Sequence, residues 1–274
     1  MKHLLVAFVF VFGLAFIGYW GVPAGLRAAG LHPHYVIPEF DLSGRRALII
    51  TTSQDQLGDS GVSTGVWGSE MTVPYYAFLD AGIEVDIASI RGGEIPVEPV
   101  STRWPLATRD DRRFQADPVA MGKAINSISI AEIDTADYDV VFIAGGWGAA
   151  YDLAQSRQLS DLVSEANAAG AIIGSVCHGA LGLVNARDID GSPLLDGRRV
   201  TGVTDKQIEE LGIQITPKHP ETELRAVNAV FEAQSAWRDV FATQTVVDGN
   251  LVTGQNQNSG YETAHRILEL LANQ

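Results

Sequence analysis

The hydrophobic and polar positions change period several times along the chain, and each change marks an element. Arg46–Thr52 (RALIITT) is a short, nearly unbroken apolar run between Gly44 and the polar stretch Ser53–Gly61. Such a run suits a strand buried on both faces, as in a parallel sheet. Ile83–Ser89 (IEVDIAS) alternates and reads as a second strand. Tyr138–Ala144 (YDVVFIA) and Ala171–Val176 (AIIGSV) return to the apolar pattern, and Arg198–Val203 is a further short strand. Helical spacing fills the gaps. Over Gly65–Ala81, Trp67, Met71, Tyr75 and Phe78 recur at three- and four-residue intervals, and Gly82 supplies the stop. Pro74 predicts a kink there or a late start. Asp117–Ser127, Ser156–Ala169, Glu221–Ser235 and Ser259–Leu271 are the other predicted helices, while Arg91–Phe114, rich in Pro, Gly, Arg and Asp, reads as an irregular insertion. Thr243–Asp248 and Asn250–Thr253 form a hairpin pattern around Asp248-Gly249. Strands alternating with long helices predict a three-layer α/β/α sandwich with a mostly parallel sheet over residues 45–274.

The N-terminus departs from this alternation. No residue from Leu4 to Leu26 is charged, and Leu4–Ile17 is apolar almost throughout. A helix of that length spans a bilayer core of about 30 Å. Lys2 ahead of it favours an inside N-terminus, and Tyr19 and Trp20 read as interfacial anchors. Residues 1–26 are therefore expected to be a membrane anchor, with the domain outside the cytoplasm. The alternative is a cleaved signal peptide, with Val22 and Ala24 as the small residues of a cleavage site and Pro23 between them, giving a secreted or periplasmic protein. Residues 27–44, rich in Gly, His and Pro, read as a linker.

Composition narrows the function classes. Hydrophobic residues make up 46 % of the 274 positions, enough for one large packed domain. The formal net charge of -14 argues against nucleic acid as a partner, and against attraction to anionic lipid by surface charge. One cysteine excludes an internal disulfide framework and a cysteine-rich zinc site.

That cysteine, Cys177, stands where chemistry is expected. The stretch AIIGSVCHGALGL passes from a strand through small residues into Cys177, then His178, Gly179 and a helix-like run over Ala180–Ala186. A strand–turn–helix elbow presents its turn residue at the carboxyl end of a parallel strand and aims backbone N–H groups at it. A lone cysteine is often a small buried hydrophobe; the adjacent histidine and the helix start favour a reactive thiol here. Glu70 lies among apolar neighbours in GVWGSEMTVPYYAF. Buried there, its carboxyl has a raised pKa and suits a general acid or base next to a thiol. Gly145 and Gly146 end a strand and offer N–H groups for an oxyanion hole, or else make an ordinary tight turn. His219 and His265 read as surface or helix histidines. Asn256 and Asn258, in GQNQNSG, read either as the border of the site or as a cap on the last helix.

Together these stretches resemble a known family. TTSQDQLGDSGVSTGVWGSE, DYDVVFIAGGWGAAYDL, SVCHGALGLVN, DGSPLLDGRRVTGVTD and VVDGNLVTGQNQNS are similar, in this order, to the ThiJ/PfpI superfamily (class I glutamine amidotransferase-like), and within it to the chaperone/glyoxalase III branch. The resemblance covers about residues 45 to 272. It implies a flavodoxin-like sandwich with Cys177 as nucleophile, Glu70 as the glutamate in contact with it, His178 as the histidine after it and Gly146 as an oxyanion-hole position, flanked by Gly145 and Gly179. It implies conversion of methylglyoxal to D-lactate with no cofactor: no glutathione and no metal. Cys177 would form a hemithioacetal and Glu70 or His178 would move a proton through an enediol. It also allows a homodimer. Two positions depart from the pattern. Trp147 replaces the usual histidine of GG-H-G at the rim, and Ile208 stands where the third, acidic member of a triad is expected, leaving Asp205 or Glu209 as substitutes. The alternatives are a membrane-tethered stress holdase or redox sensor, or an amidase or peptidase of the same fold.

Overall fold

In the computed structural model most of the apolar runs become strands of one mostly parallel sheet. Residues 2–213 and 215–274 are described, without the side chains of residues 2–12 and 14. The strands are β1 (Arg46–Thr51), β2 (Glu84–Ser89), β3 (Ile128–Ser129), β4 (Val140–Ile143), β5 (Ile172–Val176), β6 (Arg199–Val200), β7 (Val230–Phe231), β8 (Thr245–Asp248) and β9 (Leu251–Gly254). The helices are α1 (Lys2–Ala28), α2 (Gly68–Asp80), α3 (Arg109–Ala116), α4 (Pro118–Ile125), α5 (Ala149–Asp152), α6 (Arg157–Ala168), α7 (Asp205–Leu211), α8 (Pro220–Ala226) and α9 (Gly260–Ala272). Among the described residues the main sheet is seven-stranded, in the order β3-β2-β1-β4-β5-β9-β8. Its pairs are parallel except β8 with β9.

Alternate strand residues feed two cores. Ala47 and Ile49 of β1, Phe142 of β4 and Ile172 of β5 face α2 and α9, against Met71, Phe78, Ile267 and Leu268. Leu48, Ile50, Val141 and Ile173 face the other way, against Leu159, Leu162 and Val163 of α6. Both faces are covered, which is why the central strands are apolar without a break. The chain runs from β1 outward to β2 and β3, then returns to β4 on the far side of β1. The carboxyl ends of β1, β4 and β5 therefore flank a switch point, where open α/β sheets place their ligands. The three-layer sandwich expected from the pattern is the observed fold.

Several boundaries move for local reasons. α2 begins at Gly68 and continues through Pro74, which has no N–H to give to the Glu70 carbonyl one turn back. The expected irregular insertion contains α3, opened by a capping box in which the Thr108 hydroxyl and the Asp111 carboxylate each accept from the other's backbone N–H. The segment after Cys177 is a 3₁₀ helix, Cys177–Leu183. Of the expected strand Arg198–Val203, only β6 forms, and it pairs with β7 outside the main sheet. α8 stops at Ala226 because Asn228 turns the chain at φ 64.

The expected membrane anchor is corrected. Among the described residues, no helix is long and apolar enough to cross a membrane. The physical reason lies in the later turns of α1: Pro23 interrupts them, Arg27 sits in the last turn, and Tyr19 rests on the domain. The Tyr19 ring stacks on Trp104 at 5.8 Å, and Trp104 Nε1 donates to the Tyr19 carbonyl at 3.2 Å. The side chains of Leu4–Phe12 and Leu14, on which part of that expectation rested, lie outside the described residues. The position outside the cytoplasm that the anchor implied loses that support with it. The following residues hug the domain: Leu31 is buried, and Ile37, Phe40 and Leu42 pack against the α2–α9 core.

The centre of the fold is tested by Phe142→Ala. Phe142 is fully buried and meets Phe78 of α2 edge-on at 6.1 Å. Its truncation should lower stability by about 3–5 kcal/mol in urea unfolding, as for large aromatic deletions in rigid cores; a loss below about 1 kcal/mol would show that the layer repacks freely.

Candidate active site

Three loops at the carboxyl edge of the sheet converge on Cys177. β5 ends at Val176, and Cys177 turns the chain with φ 58, in the left-handed region that side chains other than glycine rarely adopt. That turn lifts the thiol off the strand axis and starts the 3₁₀ helix. The loop after β4 passes behind it. A Cβ on Gly179 would sit 2.2 Å from the Ile143 carbonyl oxygen, and a Cβ on Gly145 would sit 2.6 Å from Glu70 Oε2 and 2.7 Å from the backbone nitrogens of His178 and Gly179. Only glycine fits at either position. The first turn of α2 enters from the third side and delivers Glu70, whose own N–H bonds the Trp67 carbonyl at 2.9 Å. The Trp67 N–H in turn donates to the Gly145 carbonyl at 3.2 Å, so α2 is tied to the β4 loop at its start.

The electrostatics follow from burial. Cys177, His178 and Glu70 are 6 %, 1 % and 1 % exposed. Burial pushes the Glu70 carboxyl up to about 8, while the Cys177 thiol and the Gly145 N–H, which face it, oppose the rise. Glu70 therefore carries a proton at neutral pH. Burial also raises the Cys177 thiol well above its usual 9, and the neighbouring carboxyl adds to the rise. The backbone N–H groups of His178 and Gly146 face the sulfur and pull the other way. Burial depresses His178 to about 3, helped by nearby His219, so its imidazole is neutral. Its Nδ1 lies 3.5 Å from Cys177 Sγ.

These groups line a small cavity of about 30 Å³ with Trp67, Gly146, Trp147, Val203, Gln207, Leu211, Ile213, Val240 and Gln257. By its volume it admits a molecule of a few heavy atoms and no peptide. Three buried polar atoms around it have no hydrogen-bond partner among the described residues: Glu70 Oε2, His178 Nε2 and Trp67 Nε1. Leaving a buried polar atom unpaired costs roughly 1–3 kcal/mol, and native structures keep few of them. All three belong to residues that line this one cavity.

The structure thus brings Cys177, His178, Glu70, Gly146 and Trp147 around one space, with Gly145 and Gly179 as close-packed backbone behind them. It does not bring the substitute acids there. Asp205 accepts from Thr222 Oγ1 at 2.8 Å and lies 3.3 Å from His219 Nδ1, and Glu209 is exposed. Ile208 is buried in the core. Trp67, Gln207 and Gln257 were not anticipated. Trp67 reads as an anchor of the apolar face; the usable signal is that it stands three residues before Glu70 and so shares its side. Gln207 arrives on α7, which Thr204 caps through the Gln207 N–H at 3.0 Å. The GQNQNSG loop does border the site. Gln257 lines the cavity, and buried Asn256 donates to the Ala242 carbonyl at 2.9 Å and to Gln207 Oε1 at 3.3 Å.

Comparison with known proteins agrees with this geometry. Residues 62–270 match the DJ-1/PfpI family. The chain belongs to that family. It is 30 % identical over 235 residues to the Probable glutathione-independent glyoxalase SNO4 of Saccharomyces cerevisiae, covering 84 % of this chain and 99 % of the relative. It is also similar to a crystal structure of Francisella tularensis Rapid Encystment Protein 24 KDa, with TM-score 0.77, 31 % identity and 83 % and 99 % of the two chains covered. Against the crystal structure of glyoxalase III from Candida albicans the TM-score is 0.69 at 25 % identity, over 82 % and 97 % of the chains. The expected place on the glyoxalase III branch of the superfamily is supported by these relatives.

The buried carboxyl has a thermodynamic signature. Unfolded, Glu70 titrates near 4.5; folded, near 8. The native state holds the extra proton between those values, so stability falls as pH rises through that window. Glu70→Gln removes the charge and keeps the shape. It should unfold like the wild type at pH 4 and be more stable at pH 9, by up to about 5 kcal/mol. Urea midpoints at the two pH values check this; a difference independent of pH would mean that the carboxyl is not buried.

Proposed function

We propose that this protein is a cysteine-dependent, glutathione-independent glyoxalase that converts methylglyoxal and water to D-lactate. The observation that carries the reading is the buried Glu70–Cys177 pair on a cavity of a few atoms, with backbone N–H groups aimed at the sulfur. The names of the relatives, glutathione-independent glyoxalase and glyoxalase III, support it.

The chemistry needs one base that moves a short distance. The ionised Glu70 takes the thiol proton, and Cys177 sulfur adds to the aldehyde carbon. A C–S bond forms, the carbonyl electron pair goes to oxygen, and the proton returns to that oxygen to give a hemithioacetal. Gly146 and His178 N–H groups stabilise the oxygen as its charge develops. Glu70 then removes the hydrogen from the same carbon; the electron pair forms the carbon–carbon double bond of an enediolate, and the former ketone oxygen takes the proton of the neighbouring hydroxyl. Glu70 returns its proton to the second carbon as the oxygen left on the first carbon re-forms a carbonyl, giving a thioester. Water attacks the thioester, the C–S bond breaks, and lactate leaves with the thiol restored. His178, held neutral, is a hydrogen-bond partner of the sulfur and not a cation that activates it. A thiol this buried and this high in pKa is unlike a redox sensor, whose cysteine is exposed and acidic.

The test incubates the wild type, Cys177→Ala and Glu70→Gln with methylglyoxal, without glutathione, and follows D-lactate. Cys177→Ala should be inactive with unchanged circular dichroism, and Glu70→Gln should lose at least about a hundredfold, the usual contribution of a general base. Because the working form of the pair has lost one proton, wild-type kcat/KM should rise with pH through about 8 and then level. Turnover by Cys177→Ala would overturn the assignment.

A further inference from the structure

We propose that the indole N–H of Trp67 holds the substrate's ketone oxygen and thereby makes the site selective for 2-oxoaldehydes over simple aldehydes. This rests on the glyoxalase reading and adds a binding residue to it. Trp67 lines the cavity beside Cys177, and its indole Nε1 is buried with no partner among the described residues. An indole N–H can only donate, so what completes it is an acceptor. The ring is held in place from several sides. Its backbone is fixed to Gly145 at 3.2 Å and to the first turn of α2 through Glu70 at 2.9 Å. Gly146 packs so closely that a Cβ there would lie 2.3 Å from the Trp67 backbone nitrogen. The Trp147 ring leans on it at 6.1 Å and 55°.

The direction of proton transfer places the oxygen. Glu70 takes a hydrogen from the carbon bonded to sulfur and returns it to the next carbon, so both carbons must lie against that carboxyl. The oxygen on the second carbon then projects toward the turn that carries Glu70, where Trp67 sits three residues earlier. Negative charge gathers on that oxygen as the enediol forms, so a donor there strengthens toward the transition state. A simple aldehyde has no such oxygen and leaves the indole unpaired. His178 Nε2, the other unpaired ring nitrogen, belongs to the elbow on the sulfur's side of the cavity.

The experiment compares the full-length wild type with Trp67→Phe, which keeps an aromatic ring and removes the donor. Iodoacetamide alkylation of Cys177 is followed while methylglyoxal or propanal protects the thiol as a reversible hemithioacetal. The ratio of the two protection constants cancels general effects on the thiol. It should fall about tenfold in Trp67→Phe, the worth of one neutral hydrogen bond, with propanal protection unchanged. In wild type labelled with ¹⁵N-indole, one of the five tryptophan signals should move with methylglyoxal and stay with propanal, and that signal should be missing in Trp67→Phe. An unchanged ratio, or a signal that moves equally with both aldehydes, overturns the role. Protection without D-lactate removes the reaction and leaves the donor; D-lactate with an unchanged ratio removes the donor alone; no protection of the wild type by methylglyoxal overturns both. Should Trp67→Phe not fold, Trp147→Phe decides: the signal that moves with methylglyoxal should remain in it, and its loss there overturns the role.

Discussion

The site depends on three backbones meeting without side chains between them. The β4 loop, the Cys177 elbow and the first turn of α2 approach so closely that a methyl group at Gly145 or Gly179 would lie within 2.7 Å of neighbouring backbone or carboxyl atoms. This contact buries the thiol and the carboxyl together. It also brings the N–H groups of Gly146 and His178 to the sulfur, and it leaves a cavity too small for anything but a short molecule. Burial sets the proton inventory: both acids of the pair are harder to ionise than in water, and the imidazole beside them is harder to protonate.

A second constraint keeps the far wall of the cavity in place. Asn256 spends its amide N–H groups on the Ala242 carbonyl and Gln207, while its oxygen accepts the Asn258 N–H at 3.0 Å. Asn258 donates to the Val240 carbonyl at 2.6 Å and accepts the His32 N–H at 2.7 Å. Gln207 and Val240 line the cavity, so this chain of amides connects the segment after α1 to the wall opposite Cys177. Each amide is buried and satisfied, which gives such networks their power to fix one geometry.

What was legible in the sequence was what a single period encodes. β1, β5, α6, α9 and the β8–β9 hairpin follow from runs whose faces are uniform, because one packing environment acts along the whole element. α3 was missed because a capping box, Thr108 with Asp111, decides its start inside a stretch whose Pro and Gly content suggests a loop. β6 was overextended because its neighbour in space, not its own pattern, ends it, and α8 because Asn228 turns the chain two residues after Ala226. The apolar start of the chain was misread for a related reason: absence of charge shows what a segment tolerates, not what it rests against, and Tyr19 rests on Trp104. At the site, Cys177, His178 and Glu70 were readable because each is an unusual residue for its setting. Trp67 and Gln207 were not, since a tryptophan on an apolar face and a glutamine in a helix are ordinary until their partners are known.

The neutral state of His178 sets the character of the site. A histidine beside a reactive thiol often owes its proton affinity to a neighbouring acid; among the described residues none offsets burial here, and His178 stays neutral down to about 3. The imidazolium that would lower the thiol's pKa is therefore not available at neutral pH. In the proposed chemistry the task of taking the thiol proton passes to the base whose own pKa burial has brought near the working range, Glu70. A carboxylate that first frees the sulfur and then moves a proton between adjacent carbons needs no third partner, because both transfers occur within its reach. Losing the acid costs a hydrolase the imidazolium that protonates its leaving amine; an isomerising carbonyl chemistry has no amine to expel. A site without that acid, which weakens an amidase reading, is thus one that the proposed glyoxalase chemistry tolerates.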